Sequence, residues 1–312
     1  MIAFLFPGQG SQAVGMGRAF YQESGAAKAV FEEANDALGE NLTRLIFEGP
    51  EAELALTANT QPAILTVSVA AAAVAAERGL RPALAAGHSL GEYSALVVTG
   101  ALAFRDAVRV VRRRGEFMQE AVPVGTGAMA ALLGLDLAQV EAICAEAAGG
   151  EVVEVANINA PQQIVIAGHR AAVERAVVLA GERGGRKSVL LPVSAPFHCT
   201  LMQPAAARLR EVLEPVPVSD PRAPVVRNVD AGLTRTAAEV KPALVAQVAS
   251  PVRWTESVQR LHAEGASMYV EVGPGRVLTG LLRRILDGAR GLNVEDPPSL
   301  ERVLAAVQEP TA

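Results

Sequence analysis

The chain has 312 residues, half of them hydrophobic and 20% charged, enough to bury one large core with an insertion or two domains. A net charge of -5 gives no case for a nucleic-acid partner, and two cysteines, Cys144 and Cys199, form neither a disulfide framework nor a metal-type spacing. The start lacks a basic segment ahead of its apolar run and the Ala/Val stretch 64–76 reads as a buried helix, so a cytoplasmic protein without membrane contact is expected.

Residues 2–6 are an apolar run expected to form a buried strand, broken by Pro7-Gly8-Gln9-Gly10-Ser11-Gln12. That loop resembles a phosphate cradle but lacks the Gly-Lys-Ser/Thr ending and the third glycine of a dinucleotide fingerprint. A plain strand-to-helix turn, or a loop supplying one backbone N–H to a nearby site, are the other readings. Helical patterns follow over 26–38, 51–56 and 59–79, with Asn59 a natural N-cap for the last.

The stretch 83–96 carries the strongest chemical signal. A short apolar run leads into Gly87-His88-Ser89-Leu90-Gly91, and a helical pattern follows. Gly-x-Ser-x-Gly between a strand and a helix is the pattern of a nucleophile elbow, a turn so tight that its flanking positions tolerate almost no side chain. A serine at a helix N-terminus also meets unpaired N–H groups able to stabilise an oxyanion.

The helix expected over 104–121 has an apolar stripe of Ala107, Val110, Val111, Phe117 and Met118, and Arg114 falls on that face. Arg105, Arg109, Arg112 and Arg113 lie mostly elsewhere and are expected to be solvated. A buried arginine needs a partner. Either Arg114 pairs internally with a glutamate such as Glu92, or it awaits a ligand carboxylate that its planar fork can grip.

Over 125–193 the order strand, helix, strand, strand, helix, strand is expected, at 128–134, 137–147, 152–158, 163–167, 171–183 and 187–193. That order is the ferredoxin-like signature. It divides the chain into an α/β unit of residues 1–123 and 194–312 with an inserted small subdomain at 124–193.

A serine nucleophile needs a base. Of the four histidines, His88 adjoins Ser89 and points away from it, His169 ends a small-subdomain strand, and His262 lies on a polar helix face. His198, on a turn at the subdomain junction, is the best placed. Cys199 beside it reads as a packing residue. No Asp or Glu between Ser89 and His198 stands in a distinctive turn context, which weakens a triad reading; a backbone carbonyl or an amide orienting the imidazole instead is what the family resemblance below implies. The remainder returns to α/β, with strands at 224–228 and 268–272 and helices at 240–248, which carries Gln247, at 254–263 and at 277–286. A short amphipathic helix follows Pro297-Pro298.

These motifs together resemble the malonyl-CoA:acyl carrier protein transacylase family. The resemblance rests on the Phe6–Gln12 loop, Gly87-His88-Ser89-Leu90-Gly91-Glu92, Arg114-Gly115-x-Phe117-Met118, Asn157-x-Asn159, His198 and Val270-Glu271-Val272-Gly273-Pro274-Gly275, in family order over nearly the whole chain. It implies an α/β-hydrolase-like subdomain with a parallel sheet plus the ferredoxin-like insert. Ser89 would be the nucleophile, His198 the base and then the acid, and the N–H groups of Gln9 and Leu90 the oxyanion hole. Arg114 would hold the malonyl carboxylate, Gln247 support the histidine, and Asn157 line the cleft. Phe197 departs from the serine frequent at that place in bacterial members. In related polyketide synthase acyltransferase domains Phe there accompanies malonyl and Ser methylmalonyl, so malonyl is expected. The partners implied are malonyl-CoA and acyl carrier protein, with no metal, no cofactor and a monomeric enzyme. The rival readings are a trans-acting malonyltransferase for a polyketide synthase, a serine thioesterase or esterase, and a carrier-binding scaffold with a dead site.

Overall fold

The computed structural model describes residues 1–193 and 195–308. Ser194 and residues 309–312, which begin and end the expected return segment of the larger unit, lie outside the described residues. Two sheets organise the molecule. The larger contains β1 (Ile2–Phe6) and β2 (Leu84–Gly87), the smaller β3 (Gly127–Leu133), β4 (Val153–Ala160), β5 (Gln163–His169) and β6 (Lys187–Leu190). The larger sheet is completed by β7 (Val225–Val226), β8 (Leu233–Thr234), β9 (Met268–Val272) and β10 (Arg290–Val294).

The larger sheet has the order β10-β9-β1-β2-β7-β8, parallel except for β8. Parallel strands covered on both faces need apolar side chains on both. Phe4, Phe6, Ala85, Val225, Val270 and Val272 accordingly enter one core cluster, while Ala3, Leu5, Ala86, Val226 and Tyr269 enter another on the opposite face. The helix Thr57–Glu77 lies within the first cluster. It is long and apolar enough to cross a bilayer, yet 78% of its most apolar window is buried against the rest of the protein. A helix apolar all round belongs in a core or in a membrane, and here the core takes it.

The smaller sheet is antiparallel in the order β4-β5-β3-β6. Its alternation splits the two faces. Ala128, Ala130, Leu132, Ile164 and Ile166 pack under the helices Leu137–Ala147 and Arg170–Glu182, whereas Met129, Val165 and Ala167 face the large core. Two main-chain bonds, Ile158 N to Val252 O and Val252 N to Ala156 O, both 2.9 Å, tie β4 to the larger unit.

Several expectations are corrected. Asn59 is not an N-cap: the helix begins at Thr57, and the Asn59 amide donates to Glu53 O at 2.8 Å while its oxygen accepts from Arg112. Arg112 is not solvated, being folded between Asn59 and Glu40, and Arg109 donates to Ala37 O at 2.9 Å. β10, β8 and the helices Arg18–Glu23 and Leu42–Glu48 carry no expectation from pattern. Each is short, and β10 mixes Arg290, Gly291 and Asn293 with two apolar residues at a sheet edge, so no period shows.

Candidate active site

Register brings the site together. Phe6 of β1 pairs with Gly87 of β2, and Val226 of β7 pairs with Ala86. Three neighbouring parallel strands therefore release their loops at one edge, and those loops carry Gln9, Ser89 and Asn228. Clefts in open α/β sheets form at the carboxyl ends of strands for this reason.

Ser89 is the residue before the helix Leu90–Val98, and its φ of 50° lies in the left-handed region. The flanking glycines are required by space. A Cβ on Gly87 would come within 1.9 Å of the Gly91 carbonyl, and one on Gly91 within 2.0 Å of Phe6 O. Gly8 is as tightly held, since a Cβ there would lie 2.4 Å from His88 O. The Gln9 loop is thus pressed directly against the elbow, and the Leu90 amide heads the elbow helix where no intrahelical acceptor exists.

His198 reaches Ser89 from the loop after β6. Its Nε2 lies 2.8 Å from Ser89 Oγ, and its Nδ1 lies 3.0 Å from the main-chain oxygen of Gln247. A carbonyl only accepts, so Nδ1 carries the proton and Nε2 offers its lone pair to the serine hydroxyl. Burial, and then the nearby Arg114 cation, push the imidazole down to about 3, so it is neutral at neutral pH. The orienting group is a carbonyl where a triad would have a carboxylate.

Arg114 is 1% exposed. Its helix, Phe104–Glu120, approaches the start of Thr57–Glu77 so closely that a Cβ on Gly115 would meet Thr57 O at 2.7 Å. That approach lets Gln61 Oε1 accept from Arg114 Nη1 at 2.8 Å. Nη2 donates to Gln247 Oε1 at 2.8 Å and to Ser89 Oγ at 3.0 Å. These bonds use three of the five guanidinium donors. Neither Nε nor the hydroxyl of Tyr93, whose ring lies 5.5 Å from the guanidinium carbon, has a well-angled partner among the described residues. The internal ion pair with Glu92 is absent among the described residues; neutral oxygens surround this cation instead. Glu92 lies one amide away, accepting from Gln247 Nε2 at 2.7 Å, and burial pushes its carboxyl up to about 7.

Gln9, Gln61, His88, Ser89, Arg114, Asn157, Phe197 and His198 line one narrow cleft of about 120 Å³, with Met118, Met129, Leu191 and Val193 as apolar walls. A larger groove of about 590 Å³, bounded by Leu80, Arg81 and Arg222, lies apart from it and holds no serine or histidine. Asn157 is buried at the cleft. His88 turns from Ser89 toward the small sheet, where its Nε2 lies 2.8 Å from Asn159 Oδ1. Cys199 is buried, its thiol donating to Pro196 O at 3.1 Å and raised to about 12 by burial, as suits a packing residue.

Sequence reasoning missed Gln61 and Asn228. Gln61 lies in the polar first turns of its helix beside Asn59 and Thr60, so nothing sets it apart until the neighbouring helix is placed. Asn228 follows a two-residue strand and nothing in its local pattern sets it apart. It is 0% exposed, with Oδ1 accepting from Ser89 N at 2.6 Å and Nδ2 donating to Gly87 O at 2.7 Å.

A hydroxyl on a left-handed backbone beside a neutral imidazole, with a guanidinium 3.0 Å from the same oxygen, suits transfer of an acyl group bearing its own carboxylate. Known proteins lead to the same class. The acyl transferase domain family matches residues 3–302, and the chain belongs to that family. The malonyl CoA-acyl carrier protein transacylase of Bacillus subtilis (strain 168) is 48% identical over 309 residues, covering 99% of this chain and 98% of the relative. Among solved structures, an acyl carrier protein S-malonyltransferase from Vibrio cholerae is similar with a TM-score of 0.95 at 48% identity, covering 97% of this chain and 99% of that one. A malonyl-transacylase in complex with a type II PKS acyl-carrier protein has a TM-score of 0.95 at 46% identity, covering 98% of this chain and 99% of that one.

Proposed function

We propose that this chain transfers malonyl from malonyl-CoA to the phosphopantetheine thiol of acyl carrier protein, supplying fatty acid elongation through a malonyl-serine intermediate. The observation that carries the residue roles is the sharing of Ser89 Oγ between His198 and Arg114. Ser89 Oγ attacks the thioester carbonyl while His198 Nε2 takes its proton. The oxygen–carbon bond forms, the carbon–sulfur bond breaks, and His198 returns the proton to the departing coenzyme A sulfur. The carrier thiol then attacks the ester by the same steps in reverse. The Gln9 and Leu90 amides receive the oxyanion, and a donor aimed there is worth roughly 10²–10³ in rate.

Arg114 holds the malonyl carboxylate with its guanidinium fork, and so keeps the ester carbonyl in an orientation that favours an entering thiol over water. Gln247 supports His198 through its main chain. Phe197 and Asn157 bound the acyl pocket, with Phe197 filling the space an α-methyl branch would need.

The residues 1–123 and 194–312 form an α/β-hydrolase-like unit in this reading, and 124–193 a ferredoxin-like insert, a division supported by the strand orders of the two sheets. No metal or cofactor enters the scheme, and the partners are malonyl-CoA and the carrier protein, with neither nucleic acid nor membrane. We read the active unit as a monomer, working in the cytoplasm. The 46% identity to a transacylase solved with a polyketide carrier keeps a second pathway reading, a trans-acting polyketide malonyltransferase, in view. Intact-protein mass spectrometry after brief exposure to malonyl-CoA tests the scheme. One malonyl adduct that discharges onto a holo fatty-acid carrier in preference to a polyketide carrier is expected; no adduct, or one lost only to water, would overturn the transferase reading.

A further inference from the structure

Beneath Ser89 lies a buried polar bracket, of which the scheme above uses only Gln247. Glu92 stands in the first turn of the elbow helix and is 2% exposed. Its Oε2 accepts from the main-chain N of Asn228 at 3.0 Å and from Gln247 Nε2 at 2.7 Å. Asn228 passes this on through its side chain, which bonds Ser89 N and Gly87 O on the two sides of the elbow. Gln247 passes it on in three directions. Nε2 also donates to Ser89 O at 3.1 Å, Oε1 accepts from Arg114, and the main-chain oxygen accepts from His198.

The orientation of the Gln247 amide follows from charge. Arg114 stands on its oxygen side, and Glu92 with the Ser89 carbonyl on its nitrogen side. A flipped amide would set oxygen against two oxygens and N–H groups against a guanidinium, leaving buried polar groups unsatisfied on both sides. With the carboxylate removed, only Arg114 and one carbonyl hold the amide, and the Asn228 main chain loses its acceptor.

We propose that Glu92 is a positioning residue for acyl transfer, acting through Asn228 and Gln247 to hold Ser89 in its left-handed conformation within reach of His198 and Arg114. This rests on Ser89 being the nucleophile. Glu92 touches neither substrate nor the reacting atoms, so its loss should lower the rate of attack while leaving ground-state binding of the substrate nearly unchanged.

The test uses Glu92→Gln, which keeps the side-chain shape and one acceptor oxygen, at pH 8, together with a small uncharged serine-directed fluorophosphonate that does not need the Arg114 grip. In a variant that melts as wild type does, the labelling rate and the kcat for malonyl loading should both fall about 10- to 100-fold, because the two bonds to one carboxylate oxygen become bonds to a neutral amide oxygen, with KM changed less than about threefold. Wild-type labelling and kcat would overturn the proposal. If Glu92→Gln does not fold, Asn228→Ala, which keeps the main-chain bond to Glu92, is read in the same way. Ser89→Ala is the control for the reading beneath it: labelling that survives there would refute Ser89 as nucleophile and leave the bracket a structural feature.

Discussion

In the larger sheet the strands that reach the site run parallel and deliver their loops to one edge, whereas the smaller sheet is antiparallel and offers the site one flat face. The first arrangement places groups by strand ends: Gln9, Ser89 and Asn228 follow β1, β2 and β7. The second places groups by alternation: Met129 and the Asn157-x-Asn159 pair project from β3 and β4 toward the cleft or its border. Ser89 and the amides around it sit on the ends and shape on the face, with Arg114 added from a helix and His198 from the loop after β6. The division has a physical cause, since helix N-termini and open amides occur at strand ends, while a pleated face offers only side chains.

Substitutions at the two places should differ in kind. Ser89→Ala removes the atom proposed to attack, and malonyl loading should fall by roughly 10⁴ or more, measured as loss of the malonyl adduct by mass spectrometry. Arg114→Ala should lower kcat/KM for malonyl-CoA by about 10²–10³, the effect of deleting one partner of a buried charge pair, while acetyl loading or hydrolysis rises. Malonyl transfer that survived would reject the carboxylate grip. Phe197→Ser, at the cleft wall, should leave malonyl loading within a few-fold but shrink the preference for malonyl over methylmalonyl by about 10- to 100-fold, read by competition of the two thioesters. Asn159→Ala should cost about 1 kcal/mol in denaturant unfolding by freeing His88 from the small sheet, with kcat nearly intact. A large kcat loss there would erase the distinction between ends and face.

The pH profile sharpens the same contrast. His198 is lowered to about 3, so protonation of this proposed base leaves no mark near pH 6.5. Glu92 is raised to about 7 by burial, opposed by its bonds to Asn228 and Gln247 and by the charges of Arg114 and Arg227. A raised carboxyl is protonated below that value, so the bracket loses its charge as pH falls through 7. The kcat/KM for malonyl-CoA should therefore decline below about pH 7, and Glu92→Gln should flatten that limb.

Strong local patterns survived folding with small shifts. The run 2–6, the helix 137–147, the helix 254–263 and the strand 268–272 form with the expected bounds, because each has an unbroken apolar period and clear end signals. The Asn59 cap did not survive, because a tertiary partner, Arg112, and the preceding turn at Glu53 compete for the same side chain. Arg114 shows the same limit. Its position on an apolar face is readable, but whether it meets Glu92 or an open cleft depends on a helix crossing that only Gly115 permits.

The sequence by itself determined the elbow, since two glycines around a serine between strand and helix leave that turn little alternative, and it determined the order and kind of most elements. Tertiary structure alone decided what surrounds the serine. Asn228, Gln247, His198 and Arg114 lie 139, 158, 109 and 25 residues from Ser89, and each is brought to it by strand register or helix crossing. A hydrogen bond at that separation has no local period to announce it. It exists because burying these polar groups without one another would be costly, and that cost is set only when the core closes.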